Sequence, residues 1–387
     1  MDYELSEEHK LIRDTARRIA RDVVAPRAAE IDLSEEYPEA TFQTYREAGL
    51  LGLAIPEEYN GSGAGTLGLA LAVEEVSKYC NASGLMLLLS ALPTKPIIIG
   101  GTEDQKKEIV GRVATGEIRG AFCLTEPDVG SDPANMKSRA VRDGDDYVIN
   151  GEKSYISGGT VADYVVCFAK TSEDGVRAIS SFIVDTKSPG FSVTRTDRKM
   201  GVKGVPTAHI LFDNVRVPAD RLIGHVEGKG FYSAMLGLNS LRPVVGARGL
   251  GLAEGCLAYA LDFARKREAF GGPLTEKQAI QFMFADMAIS IEAARHLVYH
   301  AAWLVDQGKF TKEHAPYLSM AKAFATEMAN KVASDALQIL GAQGYMMDHP
   351  IERQYRDARQ LMIVEGTSQI QRMVIARALI DEDLVYN

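Results

Sequence analysis

The hydrophobic pattern of this 387-residue chain changes period twice, and that restricts its fold more than any other feature. Up to about residue 120 apolar positions recur every three or four residues, as Ile12, Ala16, Ile19, Ala20 and Val23 do. That is the spacing of amphipathic helices. Near residue 121 the pattern gives way to short β-rich runs at 138–141, 147–149, 153–156, 164–169, 179–184, 191–196 and 209–217. Asp143-Gly144 and Asn150-Gly151 stand among them as hairpin-turn signals. From about 231 good helix formers return, over 250–270, 275–307, 311–340 and 366–378. The order predicts an α+β fold, mostly α. Its parts are an N-terminal helical domain (1–120), a central antiparallel β domain (121–230) and a C-terminal four-helix-bundle domain (231–387).

Local signals refine this outline. Ser6 is placed to cap a first helix with Glu7 and Glu8 in its opening turn, and Pro26 is expected to end or kink it. Further helices are expected over 39–48, 67–80, 83–99 and 103–115, and Pro243 is expected near a helix start or at a kink. The acidic run Asp381-Glu382-Asp383 reads as a solvated tail.

Composition excludes some classes of function. Hydrophobic residues make up 46% and charged residues 25%, a normal soluble balance. The net charge of −9 comes without a basic block, which argues against nucleic acid as a partner. The polar, acidic start resembles neither a signal nor a transit peptide, and the apolar run 85–89 is far too short to span a membrane. Cys80, Cys123, Cys167 and Cys256 are widely spaced, which fits a reducing cytoplasm and gives no metal or disulfide framework.

Two motifs resemble sites without the context they need. Gly63-Ala64-Gly65-Thr66-Leu67-Gly68 matches a dinucleotide fingerprint by letter but lacks a preceding strand, so it reads as a turn into a helix. His296 and His300 share a helix face with Glu292, yet residue 297 is Leu and the zinc-protease pattern fails; no metal is expected. There is no G-x-S-x-G.

Four segments carry chemistry. Residues 121–132 run from apolar positions into a turn rich in Pro, Gly, Ser and Asp, which could offer N–H groups to a polar ring or phosphate. The same residues also read as a plain strand and turn. Tyr155 and Ser157 share a face if they lie on a strand, and an aromatic plate beside a hydroxyl suits a flat heteroaromatic cofactor. A core tyrosine is the alternative. Arg267 is either a helix C-terminal charge or a phosphate clamp. Glu365 sits before Gly366-Thr367 between two apolar segments, where desolvation would raise its pKa and suit it to abstract a weakly acidic C–H proton.

The ordered set of these segments resembles the acyl-CoA dehydrogenase family along essentially the whole chain. The similar elements are Leu124-Thr125-Glu126-Pro127 with Gly130-Ser131-Asp132, and Asn150-Gly151 with Lys153 and Tyr155-Ile156-Ser157. They continue with Met200-Gly201, Val215-Arg216-Val217-Pro218, Arg267 with Phe270-Gly271, and Gln278. Gln338, Gly344-Tyr345, Glu352-Arg353, Arg356-Asp357-Ala358 and Glu365-Gly366-Thr367 complete the set.

The resemblance implies FAD, an acyl-CoA substrate and α,β-dehydrogenation. Glu365 would take the α-proton while the β-hydride passes to flavin N5. The backbone N–H of the base residue and a ribityl hydroxyl would polarise the thioester carbonyl. Phe122, Leu124, Thr125, Tyr155 and Ser157 would line the flavin ring, with Gly130 and Ser131 close to cofactor and CoA. Arg267, Phe270, Gln278, Gln338 and Gly341 would hold the FAD of a neighbouring subunit, and Thr367 and Gln369 fall at further FAD positions. Asn239 and Arg242 would meet pantetheine, with Ser131, Gly366 and Leu88 also on the substrate. A cofactor shared between subunits implies a homo-oligomer, most often a tetramer, and electrons would pass to electron-transfer flavoprotein.

Three departures matter. Tyr155 stands where many members have Trp, and Ala342 replaces a common Gly. Leu241 occupies the place where some relatives carry the base, which leaves Glu365 as sole base. Helix 83–91 is apolar and has no arginine near Ser83, which points to an uncharged, short, branched or cyclic acyl tail, with Lys95 as the one nearby cation. An oxidase that uses oxygen directly and a non-catalytic acyl-CoA binder are the alternatives.

Overall fold

The computed structural model describes residues 4–381; the acidic tail expected at 381–383 falls outside them, apart from the backbone of Asp381. Helix α1 (Glu7–Ile19) starts at Ser6, whose hydroxyl accepts the His9 N–H. It continues through one widened turn, Ala20–Val24, into α2 (Ala25–Ser34), with Pro26 in the first turn. Proline has no N–H to give and crowds the carbonyl four residues back, so the wider turn absorbs the misfit. Next come α3 (Glu39–Glu47), α4 (Gly65–Ser77), α5 (Asn81–Ala91), α6 (Lys95–Gly100), α7 (Glu103–Gln105) and α8 (Gly111–Ala114). The helix expected over 83–99 is thus divided, because Pro93 falls in the connecting turn and Pro96 opens α6.

The sheet comprises β1 (Gly120–Cys123), β2 (Arg139–Asp143), β3 (Asp146–Ser157), β4 (Tyr164–Lys170), β5 (Ile179–Asp185), β6 (Phe191–Thr196) and β7 (Thr207–Pro218). Its order is β1-β4-β2-β3-β7-β6, with β5 also on β4. Pairing is antiparallel except where β1 and β2 meet β4. Asp143-Gly144 makes the β2–β3 turn, but Asn150-Gly151 makes none and lies inside β3 at a register shift. A Cβ on Gly151 would fall 2.3 Å from the Ser138 Oγ, so this glycine serves close approach rather than reversal.

The second helical block opens with α9 (Gly230–Lys266), 37 residues long, with Pro243 well inside it. A hairpin of β8 (Glu268–Ala269) and β9 (Gly272–Pro273) leads to α10 (Gln278–Asp306), α11 (Ala315–Leu340), α12 (Pro350–Leu361) and α13 (Ser368–Asp381). Helices α9, α10 and α11 pack on one another, and α12 and α13 pack on α11. Helix α4 also lies on α9, at backbone contact: a Cβ at Gly251 or Gly255 would come within 2.0 Å of the Glu74 or Lys78 carbonyl oxygen.

Judged by length and hydropathy alone, Asn81–Gly100 and Gly230–Lys266 could cross a membrane, contrary to the reading from uninterrupted apolar runs. In the fold 78% and 67% of their apolar windows are buried, so both segments belong to the core here, the first as two helices. The letter-match at Gly63 is a turn into α4, whose first amides, Thr66 and Leu67, donate to the Asp306 carboxylate. His296 faces Glu292 at 3.2 Å, and His300 stacks on Trp303.

The β6–β7 loop ties the sheet to the helices. The Val202 N–H donates to Asp357 at 2.5 Å, and Arg356 reaches both Asp32 and the Met200 carbonyl. Val202 takes a φ of 53°, a costly value for a β-branched residue that these contacts hold in place.

Candidate active site

Glu365 lies in the short connection between α12 and α13 and adopts φ 52°. Contacts fix the chain on both sides of it. The Ile363 and Val364 N–H groups donate to the Gln360 carbonyl. After it, Lys322 Nζ donates to the Gly366 carbonyl at 2.8 Å, and Gln371 Nε2 reaches the Glu365 and Gly366 carbonyls. A left-handed backbone costs a non-glycine residue about 1 kcal/mol or more and persists where surroundings over-determine it.

The carboxyl is as constrained as the backbone. Its Oε2 is buried without a hydrogen-bond partner among the described residues. Burial pushes its pKa up to about 7, against the opposing pull of Arg248, Lys322 and Arg242. A carboxylate with an unused lone pair and a pKa near neutrality has the properties of a general base.

Arg242 and Asn239 follow from α9. Arg242 Nη1 donates to the Ser319 hydroxyl, its Nε has no partner, and Asn239 donates to the Phe310 carbonyl. Both line a groove of about 550 Å³ with Tyr232, Lys312 and Arg377. Leu241 is fully buried beside them and apolar. Leu88 is fully buried on α5.

A second group gathers on the sheet. The Ser154 N–H donates to the Thr125 carbonyl at 2.9 Å, and Lys153 Nζ to the Leu124 carbonyl at 3.2 Å. These bonds stitch 124–126 alongside β3 at Lys153 and Ser154, next to Tyr155. The alternation assumed for Tyr155 and Ser157 is broken by a register shift between Lys153 and Ile156, within which Tyr155 takes φ 61°. Tyr155 is 59% exposed, with its ring edge-on to His209 at 5.3 Å. The Thr125 and Ser157 hydroxyls have no partner among the described residues. Phe122 packs on Phe168 at 4.9 Å, and Gly130 and Ser131 are exposed on the following turn. An exposed aromatic residue and two unpaired hydroxyls on these neighbouring segments fit a flat ring with polar edges.

A third group stands apart. Arg267, Phe270, Gln278, Gln338 and Gly341 cluster where α9 ends, α10 begins and α11 ends, and all are exposed, Phe270 to 97%. From Arg242 to the end of α9 the helix rises about 36 Å. This group therefore cannot share one small pocket with Glu365 of the same chain. Thr367 sits next to Glu365, where its hydroxyl accepts the Ile370 N–H and caps α13, and Gln369 is exposed.

The structure adds residues that pattern reading passed over: Arg248, Lys322 and Gln371 around Glu365, and Lys312 and Arg377 on the groove. Their signal was faint. Arg248 and Lys322 are lone cations among small residues, Gly246-Ala247 and Gly249 for one, Ala321 and Ala323 for the other. Nor is Lys95 the one cation near α5, because Arg248 donates to Asn81 in its first turn.

Three family models match in chain order: the N-terminal domain of acyl-CoA dehydrogenase over residues 6–117, its middle domain over 121–215 and its C-terminal domain over 228–380. The chain belongs to the acyl-CoA dehydrogenase family. It is 41% identical to cyclohexane-1-carbonyl-CoA dehydrogenase of Geobacter metallireducens, over 98% of this chain and 99% of that protein. The structure of butyryl-CoA dehydrogenase from Megasphaera elsdenii superposes with TM-score 0.95 at 36% identity, covering 98% of this chain and all of that one. A chain solved in work on the electron transferring flavoprotein of Acidaminococcus fermentans and flavin-based electron bifurcation matches equally well, with TM-score 0.95, 42% identity and the same coverage. This acyl-CoA dehydrogenase is accordingly an oxidoreductase, and its cofactor is FAD.

Proposed function

We propose that the protein dehydrogenates the α,β-bond of an acyl-CoA thioester to the 2-enoyl-CoA, with Glu365 as the base. The observation that carries this is the Glu365 carboxyl itself, backbone-clamped, with one oxygen unpaired and a pKa about 7. Such a group can take a proton from the α-carbon and hold it, and its rigid loop keeps it in reach of that carbon. FAD, when bound, supplies the acceptor for the β-hydride.

Thr125, Ser157 and Tyr155 are the residues suited to the flavin ring, with Phe122, Leu124, Gly130 and Ser131 around them. Thr367 and Gln369 flank the base from α13. Arg267, Phe270, Gln278, Gln338 and Gly341 would hold the distal part of a cofactor bound mainly to a neighbouring copy, which their distance from Glu365 supports. The working enzyme is then a homo-oligomer, a tetramer in our reading, built from domains 1–120, 121–230 and 231–387. The groove beside Asn239 and Arg242, with Lys312 and Arg377, suits the anionic coenzyme A arm. Gly366 and Ser131 would border the thioester, and Leu88 the acyl tail. The likeness to a chain studied with an electron transferring flavoprotein favours such a protein as electron acceptor.

Anaerobic bleaching of the flavin by a panel of acyl-CoAs tests this reading. The wild type is expected to bleach with at least one uncharged acyl-CoA, and Glu365→Gln to bleach on the order of 10³-fold more slowly. Equal rates would remove Glu365 from the chemistry. Copious peroxide in air would favour oxygen over a flavoprotein acceptor.

A further inference from the structure

Arg248 is fully buried on α9, yet only one of its three nitrogens is bonded. Nη2 donates to Asn81 Oδ1 at 2.5 Å and to Gln360 Oε1 at 3.0 Å, while Nε and Nη1 have no partner among the described residues. A buried guanidinium is costly unless a counter-charge faces it. Two carboxyls act on it through their charge, Glu365 and Asp357. Asp357 is already engaged, since its Oδ1 accepts the Val202 N–H. Glu365 is the one with an oxygen left over.

The link between Arg248 and Glu365 is mechanical as well as electrostatic. Gln360 receives Arg248 on its side chain and the Ile363 and Val364 N–H groups on its carbonyl. One residue thus joins the guanidinium to the chain that leads into the base. Other charges face the loop too. Arg242 comes from α9 and is bonded to Ser319, and Lys322 comes from α11 and is bonded to the Gly366 carbonyl. Glu327 of α11 is paired with Arg372 of α13, and Arg353 and Asp357 belong to α12. All three cations favour the charged form of the Glu365 carboxyl, and Arg248 keeps two buried guanidinium nitrogens without a partner among the described residues.

We propose that Arg248 is a positioning residue for Glu365: held by Asn81 and Gln360, it is a fixed buried positive charge that keeps the base ionised before substrate arrives. This rests on the reading of Glu365 as the base. Without that charge, burial opposed only by Lys322 and Arg242 would leave the carboxyl protonated over more of the neutral range. The enzyme would bind its thioester normally but start each turnover with the base already occupied.

The test is the pH profile of kcat/KM for flavin bleaching, which reports ionisations of the free enzyme. Arg248→Gln keeps a polar side chain and removes the charge. Its midpoint is expected to move up by about one unit, so that bleaching is about tenfold slower below pH 6.5 and recovers above pH 9. Arg248→Lys restores the charge and is expected to return the midpoint to within a few tenths of a unit of wild type.

A second readout does not depend on turnover. Infrared titration of the Glu365 carboxyl, isolated by subtracting the spectrum of Glu365→Gln, should show the same displacement. If Arg248→Gln does not fold, Arg248→Met is measured instead and should move the midpoint in the same direction. A wild-type midpoint in the neutral variant, or a loss equal at every pH, overturns the proposal. A Glu365→Gln enzyme that still bleaches with wild-type pH dependence overturns the underlying reading instead, so the two failures are distinguishable.

Discussion

Two buried carboxyls in this molecule face buried cations and have opposite fates. Glu126, in the turn after β1, accepts Lys153 Nζ at 2.9 Å, the Lys137 N–H at 2.5 Å and the Ser138 N–H at 3.0 Å. Burial pushes its pKa up, but Lys153 and those bonds outweigh it, and the net shift is downward. Glu365 has three cations around it, and its Oε2 still has no bond. Arg248 bonds Asn81 and Gln360 through Nη2 alone, Lys322 bonds a carbonyl and Arg242 bonds Ser319, and none of them bonds the Glu365 carboxyl. Each cation contributes its field but not a hydrogen bond, and burial wins. Charge near a carboxylate is thus not enough to fix its proton affinity; hydrogen bonds aimed at its oxygens separate a structural anion from a reactive one.

The largest way to break this contrast is at Lys153. Replacing it by Met leaves Glu126 buried without its counter-ion, and the loss is expected to be about 3–5 kcal/mol. Denaturant unfolding of the enzyme would show it. A destabilisation under about 1 kcal/mol would mean that the two N–H donors suffice for Glu126.

The next test sharpens the contrast through pH. Glu365 has a folded pKa raised above the unfolded value of about 4.5, so its contribution to stability is fully present below that pH and is lost as pH rises through about 7. Glu126 has a depressed one, so its contribution is present above pH 4.5 and is lost as pH falls through its folded value. Glu365→Gln should therefore be more stable than wild type at pH 8 by about 1–2 kcal/mol, partial exposure moderating the gain, and not at pH 4.5. Glu126→Gln should be less stable at pH 8. Equal pH slopes for the two variants would refute the assignment of opposite shifts.

The sequence revealed these two sites unevenly, for a physical reason. Helix periodicity is written in apolar residues, so α4, α5, α10 and α11 were legible. Helix α12 was not, because its buried face includes Arg353, Gln354 and Asp357. The first twenty residues of α9 carry Gly230, Gly237 and Pro243, which disfavour a helix in isolation; packing against α4, α6 and α11 makes it one. Asn150-Gly151 has the letters of a hairpin, and only the approach of Ser138 shows why glycine is there. Glu365 stood out through its local context. Arg248 and Lys322 did not, since a cation on a helix reads as solvated until the partner helices close over it.

The smallest expected effect supplies the control. Arg216 on β7 pairs with Asp143 and Asp146 across the hairpin, at 2.8 and 3.1 Å, with over half of its side chain in solvent. Its bond lengths match those of Lys153, and it has two anionic partners rather than one. If contact geometry governed stability, Arg216→Ala would cost as much as Lys153→Met. Water, however, solvates both free carboxylates once the arginine is gone, and no desolvated charge is left behind. The expected loss is under about 1 kcal/mol and shrinks further in high salt. A loss comparable to that of Lys153 would show that burial is not what separates the ion pairs of this protein, and the contrast between Glu126 and Glu365 would then need another cause.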